Sequence, residues 1–415
     1  MFDLTALARR GQSSAKKLAT LSTVEKNKAL TAIADGLRAN VQSILTANQI
    51  DLAHADENGI SKAMQDRLRL TAQRIEDIAL AVEEIIQLDD PVGKVDRGFT
   101  RPNGLEIVQK RVPFGVIGVI YESRPNVTVD TAALCLKSGN AVILRGGKEA
   151  YHSNLALVTC MREALEQSGF NPDMILFVED TSREVSRQLM RLNGYVDLLI
   201  PRGGAGLIAS VVENATVPVI ETGSGNCHLY VEKTADLEMA VNILENGKCS
   251  RPSVCNALET LLVDWEIAEA FLPKAKKALD AHQVEWRGCD KTQAILGDGV
   301  LPASQKDYET EYNDYILAVK VVDGIDDAIS HINQYSTRHS DCIVTKSLDF
   351  SRKFTREVDS AAVYVNASTR FTDGGEFGFG AEVGISTQKL HVRGPMGLEH
   401  LTTYKYLIIG SGQIR

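Results

Sequence analysis

The chain is poor in the features that mark whole classes of protein. Its 415 residues hold only 11 prolines, and no repeat, low-complexity tract or long linker interrupts them, which excludes collagen-like and disordered architectures. The seven cysteines, at 135, 160, 227, 249, 255, 289 and 342, are odd in number and show no CxxC or Cys/His ligand spacing. Neither a disulfide framework nor a metal site is expected, and reduced thiols in a cytoplasmic protein are. The longest apolar runs, near residues 116–121 and 404–409, are far too short to span a bilayer, and residues 1–17 lack the apolar core of a signal peptide. Positive charge is in deficit. Forty-five Lys and Arg against 54 Asp and Glu leave a net charge of −9, a field that repels nucleic acid and anionic membrane. An anionic substrate therefore needs a local basic pocket.

The rest of the composition, 24% charged and 44% hydrophobic, is that of a globular protein, and the length predicts two to three domains. The first ninety residues read as helical. Ser22 and Glu25 have the spacing of a capping box, followed by an apolar stripe at Leu30, Ile33, Leu37, Val41, Ile44 and Leu45. A second stripe, Ile75, Ile78, Val82, Ile85 and Ile86, stops at Asp89, Asp90 and Pro91. Alternation at 105–108 suggests a hairpin. From 116 onward short apolar runs (116–121, 141–144, 175–178, 196–200, 217–220) alternate with helical stretches such as 153–167, closed by Gly169. That alternation predicts a parallel sheet with crossover helices. A second series follows at 258–263, 316–322, 342–345 and 361–365, so two α/β domains are expected to meet near 222–230. The apolar tail, 402–409, would be an exposed edge if left alone, and pairing with the 105 hairpin or with a second subunit is expected.

Several residue groups could carry chemistry. Gly203, Gly204 and Gly206 lie between a strand and a helix, where glycines let backbone approach a phosphate and the helix N-terminus attracts its charge; a tight turn without ligand uses the same residues. Arg145, Gly146, Gly147 and Lys148 end another strand, the place where open α/β sheets bind ligands, and two cations there would suit a ribose carrying an extra phosphate. Cys255 precedes an apolar strand with Arg251 four residues before it; an acyl-accepting thiolate needs such a cation, although a cysteine beside apolar residues also serves as packing. Glu221 and Glu311 read as acid/base or ribose-binding groups, or as surface carboxylates. Arg124 could grip an anion, and the Asn126 amide could stabilise an oxyanion.

In order along the chain these pieces resemble the aldehyde dehydrogenase superfamily: PFG at 113–115, an Asn-bearing turn, a Gly-Asn strand ending in a base, a glycine loop, a Glu-x-Gly turn at 221–223, and a cysteine 34 residues after that Glu (255 − 221). Longer words narrow the match: YESRPNVT (121–128), KSGNA (137–141), LRGGKEA (144–150), RPSVCNA (251–257), NASTRFTDGGEFG (366–378), GISTQK (384–389) and RGPMG (393–397). They are similar to the branch that works on an acyl phosphate. The resemblance implies two Rossmann-like α/β domains plus a small β element that oligomerises. Residues 1–97 and 115–222 would form an NADPH-binding domain, 223–390 a catalytic domain, and 98–114 with 398–415 oligomerisation strands. It implies NADPH-dependent reduction of L-glutamyl 5-phosphate to L-glutamate 5-semialdehyde, the second step of proline biosynthesis from glutamate, in a cytoplasmic homo-oligomer coupled to glutamate 5-kinase. Cys255 would be the nucleophile and Asn126 the oxyanion donor. Glu221 matches the glutamate that activates water in hydrolytic relatives, a role reduction does not need. Arg145 and Lys148 would select NADP, Gly203, Gly204 and Gly206 would hold the pyrophosphate, and Glu311 the nicotinamide ribose. Arg124, Arg251 and Arg370 would meet substrate anions on charge alone. An acylating enzyme that uses a coenzyme A thioester is the alternative.

Overall fold

The computed structural model describes residues 3–60 and 62–415, and its chain divides into two units. The first runs to Thr222 and takes back Gly378–Gly384 and Met396–Arg415. The second holds Gly223–Phe377 and Ile385–Pro395.

The first unit opens with five helices, α1 (Leu4–Leu18), α2 (Thr23–Ala39), α3 (Val41–Glu57), α4 (Lys62–Leu68) and α5 (Ala72–Gln87). Ser22 and Glu25 do form a capping box on α2. The stripe from Leu30 to Leu45 is not one helix. The chain breaks at Asn40, whose amide bonds back to the Gly36 carbonyl at 2.8 Å and so competes with helix propagation. An antiparallel hairpin follows, β1 (Val95–Thr100) with β2 (Glu106–Pro113), and the C-terminal strand Thr402–Ile409 pairs with β2 over its whole length. Of the two pairings open for the tail, the hairpin is the one made within the chain.

A four-stranded parallel sheet carries the rest of this unit, in the order β5 (Ile175–Phe177), β4 (Ala141–Gly146), β3 (Val116–Tyr121), β6 (Leu198–Arg202). Helices α6 (Pro125–Lys137), α7 (Tyr151–Gln167), α8 (Arg183–Met190) and α9 (Ala205–Asn214) connect or follow the strands. All six residues of β3 are buried, as expected for a strand covered on both faces. Gly115 makes its entry possible: at φ +131° it takes a backbone conformation that side chains rarely adopt, while Asp197 accepts the Val116 amide at 2.8 Å. The run 217–220 forms only one bridge, Leu199 with Val219, because Pro218 has no amide hydrogen to continue a ladder.

The second unit is built on seven parallel strands ordered β10 (Val300–Pro302), β9 (Glu285–Gly288), β11 (Ile316–Val322), β8 (Leu258–Asp264), β7 (Cys227–Val231), β12 (Ser340–Val344), β13 (Ala362–Val365). Helices α10 (Leu237–Cys249), α11 (Ala268–Asp280), α12 (Asp290–Leu296), α13 (Gln305–Glu309), α14 (Ile325–Tyr335) and α15 (Leu348–Glu357) connect them. The core on one face gathers Leu229, Leu261, Phe271 and Trp286, and on the other Tyr230, Leu262, Ile343 and Phe354. Residues 378–384 belong with the first unit rather than with the 223–390 stretch: the Val383 amide donates to the Met396 carbonyl and the Met396 amide to the Gly384 carbonyl, which ties the segment to 396–415. No described helix is long and apolar enough to cross a membrane.

Candidate active site

Cys255 sits in a loop, 250–257, that leaves the end of α10 and enters β8. The Val254 carbonyl accepts the Ala257 amide at 3.0 Å and closes the turn. Of the seven cysteines, only Cys255 and Cys289 are partly exposed, and the Cys289 sulfur is taken up by Thr292 and the Val321 amide. Cys249 packs into the core, where burial pushes its thiol up to about 11. Cys227 is likewise buried and pushed up, and its thiol donates to the Cys255 carbonyl at 3.2 Å. Gly225 backs the same carbonyl so closely that a Cβ there would collide with it. The backbone under Cys255 is therefore held from two sides.

Two of the three candidate arginines gather on this loop. Arg370 donates to Ser250 at 3.1 Å and to the Asn256 side chain, while Asn256 donates to the carbonyls of Arg370 and Thr372. Burial and the exposed Arg251 both move the Arg370 guanidinium down, and Cys255 moves it up, so both residues lie within electrostatic reach of it. That is a cationic rim suited to an anion. Arg124 belongs to the other unit, exposed at the N-cap of α6. Glu311 accepts the Gly225 amide at 2.8 Å.

In the first unit the ends of β3 and β4 and the first turns of α9 open onto a cavity of about 630 Å³. Arg145, Lys148, Arg183, Arg187, Gly206 and Ser210 help line it. Gly206 fits a nucleotide here: a Cβ at that position would meet no protein atom, at the first turn of α9, whose unbonded N–H groups favour phosphate. Gly203 and Gly204 lie one step back, against Glu122, which accepts the Gly204 amide at 2.8 Å. Arg145 is committed to backbone, donating to the carbonyls of Gly146, Thr181 and Ser182. Its guanidinium fastens the 181–182 loop, whereas Lys148, Arg183 and Arg187 are exposed.

Asn126 lies in the first turn of α6, its amide donating to Asp130 at 3.0 Å. Burial pushes the Asp130 carboxyl up to about 6, against the pull of Asn126 and Arg202. Glu221 follows the Val219 bridge, half-buried, with no strand end beneath it. Sequence reasoning missed Glu122, Asp130, Arg183 and Arg187. Glu122 and Asp130 stand inside or beside the word 121–128 and were within reach. Arg183 and Arg187 lie on a polar surface helix that carries no motif.

The chain matches the model of the aldehyde dehydrogenase family over residues 3–296. It is 60% identical to a gamma-glutamyl phosphate reductase of Carboxydothermus hydrogenoformans, over the full length of both. The chain belongs to the aldehyde dehydrogenase family and, within it, to the gamma-glutamyl phosphate reductases. A crystal structure of the reductase from Thermotoga maritima superposes with a TM-score of 0.97 at 50% identity, covering all of both chains. An acetylating aldehyde dehydrogenase from Geobacillus thermoglucosidasius gives a TM-score of 0.70 at 16% identity, over 99% of this chain and 97% of that one, and shares the fold alone. As a member of the gamma-glutamyl phosphate reductases the chain is an oxidoreductase that works with a nicotinamide cofactor on a small-molecule substrate.

Proposed function

We propose that the chain reduces L-glutamyl 5-phosphate to L-glutamate 5-semialdehyde with NADPH and releases phosphate, the second step of proline biosynthesis from glutamate. The observation that carries this reading is 60% identity over the full length to a gamma-glutamyl phosphate reductase, with Cys255 as the cysteine left partly exposed on a braced loop. The coenzyme A alternative has only a fold likeness at 16% identity behind it.

The Cys255 thiolate attacks the acyl carbon: a C–S bond forms, the bond to the phosphate oxygen breaks, and phosphate leaves with the electron pair. The dinucleotide, when bound, supplies a hydride to the thioester carbon. The resulting thiohemiacetal loses the thiolate, which restores Cys255 and frees the aldehyde. The balance is one acyl phosphate, one NADPH and one proton consumed. Asn126 and the Cys255 amide are assigned to the developing oxyanion. Arg251 and Arg370, with Arg124, take the phosphate and the α-carboxylate. Because the biosynthetic direction needs no attacking water, Glu221 is assigned to proton transfer or to tuning the thiol. Glu311 takes the nicotinamide ribose, and Gly203, Gly204 and Gly206 the pyrophosphate. Arg145 shapes the adenosine side of the cavity, and Lys148, with Arg183 and Arg187, meets the 2′-phosphate.

The same reading makes residues 1–97 and 115–222 the NADPH-binding domain, 223–377 with 385–390 the catalytic domain, and the protein cytoplasmic. Acyl phosphates hydrolyse readily, which supports functional coupling to the glutamate 5-kinase that makes the substrate. It also makes the chain a homo-oligomer through strands in 98–114 and 398–415: Tyr404, Tyr406, Ile408 and Ile409 are each about half exposed or more on an edge strand.

The test runs the reaction backwards. Purified protein is given glutamate 5-semialdehyde, NADP and phosphate, and NADPH absorbance is followed. Phosphate-dependent NADPH formation that disappears in Cys255→Ser is the expected result. A signal that needs coenzyme A instead of phosphate overturns the reading.

A further inference from the structure

The second unit contains an ion pair that the reaction does not obviously need. Lys248, at the end of α10, and Glu259, at the start of β8, are both wholly buried with Nζ and Oε2 2.6 Å apart. They flank the nucleophile loop 250–257 on its two sides. Taking two charges out of water costs more than apolar side chains of like volume would, so a fold that needed only bulk here would be better served by apolar residues. Burial pushes Glu259 up to about 7 against the pull of Lys248, with Glu311 adding to the push. Lys248 is moved down by the same burial.

The second carboxylate oxygen of Glu259 has its own partner. Oε1 accepts the backbone amide of Asn313 at 3.0 Å. Asn313 has φ +56°, a left-handed turn conformation that asparagine accepts more readily than other side chains, and it aims its amide at Glu259. Two residues earlier stands Glu311, whose Oε1 accepts the Gly225 amide at 2.8 Å. Gly225 in turn lies against the Cys255 carbonyl, the group that also receives the Cys227 thiol. The contacts close a ring: nucleophile loop, ion pair, Asn313, Glu311, Gly225, nucleophile loop.

We infer that Lys248 and Glu259 are positioning residues: the pair fixes both ends of the Cys255 loop and, through the Asn313 amide, holds Glu311 in register with the nucleophile. The inference rests on the reading that Cys255 is the nucleophile and Glu311 the ribose-binding carboxylate. An apolar pair could close the base of the loop. It could not present an acceptor to Asn313, so the thiol and the cofactor carboxylate would lose their common anchor.

Two double variants separate these roles. Lys248→Met/Glu259→Leu fills the space without charge or acceptor. Lys248→Met/Glu259→Gln also removes the charges but returns an acceptor to the Asn313 amide. Both are expected to fold, with melting temperatures near that of the wild type. The Leu variant is expected to lose about tenfold or more in kcat and to raise the KM for NADPH about fivefold, since misplacement of order 1 Å is costly in this range. Its Cys255 should also react with iodoacetamide at a changed rate. The Gln variant should recover the NADPH KM. A folded Leu variant with wild-type kcat, NADPH KM and alkylation rate overturns the inference. If neither double variant folds, hydrogen exchange on the wild-type protein decides: the Asn313 and Gly225 amides are expected to be at least about a hundredfold protected, and exchange at the rate of an open loop overturns the ring. Cys255→Ser run alongside keeps the failures apart. An active Cys255→Ser removes the underlying reading; an inactive one beside an unimpaired Leu variant removes only the positioning role.

Discussion

Replacing Arg145 with Ala should lower the use of both nicotinamide dinucleotides and leave the choice between them nearly unchanged. The guanidinium donates to three backbone carbonyls, those of Gly146, Thr181 and Ser182, and lines the cavity while doing so. Each bond from a charged donor is worth roughly 1.5–3 kcal/mol at most, but only the two to Thr181 and Ser182 hold the loop, the third going to the adjacent Gly146, and water replaces part of the loss. About 2 kcal/mol is a reasonable net figure, or a fall of about thirtyfold in kcat/KM. Because the 181–182 loop borders the cavity shared by NADPH and NADH, the fall should be similar for both. Lys148→Ala and Arg187→Ala should behave differently. Their charges are exposed at the cavity, Arg187 with only a distant exposed partner in Glu184, and neither holds backbone. Loss of one solvent-screened phosphate contact at about 1–1.4 kcal/mol should cost NADPH roughly five- to tenfold and spare NADH. Initial rates of semialdehyde oxidation with NADP and with NAD, in the presence of phosphate, measure all three variants. An Arg145→Ala protein that loses NADP while keeping NAD refutes the argument, because its donors must then leave the carbonyls for the ligand.

Cys255→Ser should keep the wild-type melting temperature and lose essentially all turnover; retained activity removes the thioester route. Asp130→Asn tests the carboxyl beside Asn126. Burial raises that group to about 6 in the folded protein, above its unfolded value near 4. The protonated form is therefore favoured by folding, and the stability it contributes is complete below about pH 4 and lost as the pH climbs through about 6. The wild type should lose about 1–2 kcal/mol relative to Asp130→Asn across that window, read by thermal melts at several pH values, and parallel profiles would show the carboxyl to be unperturbed. Ile408→Asp should shift the protein to a smaller species in size-exclusion chromatography with light scattering, since it puts a charge on the exposed apolar strand; an unchanged mass would place the interface elsewhere.

The parallel sheets were legible because their strands are covered on both faces, so 116–121 reads as one apolar run and 258–263 and 316–322 as apolar runs interrupted only by Glu259 and Thr260 and by Lys320. β7 was not, since Cys227, His228 and Tyr230 give it a polar look; inside, Cys227 donates to the Cys255 carbonyl, Tyr230 to Asp264, and the His228 Nδ1 pairs with the Asn226 carbonyl while its Nε2 is buried without a partner among the described residues. Pro218 inside an apolar run and Asn40 inside an apolar stripe were each a local veto that periodicity alone overlooked. The candidate site divides the same way. Cys255, Asn126 and the glycines lie in dense local words, and one polar partner could be read beside each. Lys248 and Glu259, or Arg145 and the 181–182 carbonyls, are joined only by folding, and residues 11 or 36 apart carry no sign of it in the sequence.

The ladder between β2 and the C-terminal strand has a consequence in time. Pro113 lies opposite Thr402, 289 residues later (402 − 113). At a synthesis rate of roughly 5–20 residues per second, the ribosome needs about 15–60 s to make the partner after the hairpin has emerged. Throughout that interval one side of β2 has no neighbour within the chain, and the whole of Gly223–Phe377 is made before the strand that pairs with β2. The second unit is thus complete as a nascent chain while the first is still waiting for its final strand. Stalled or shortened chains expose an unpaired strand edge open to other nascent copies, which ties the yield of native protein to how fast the codons between β2 and Thr402 are read.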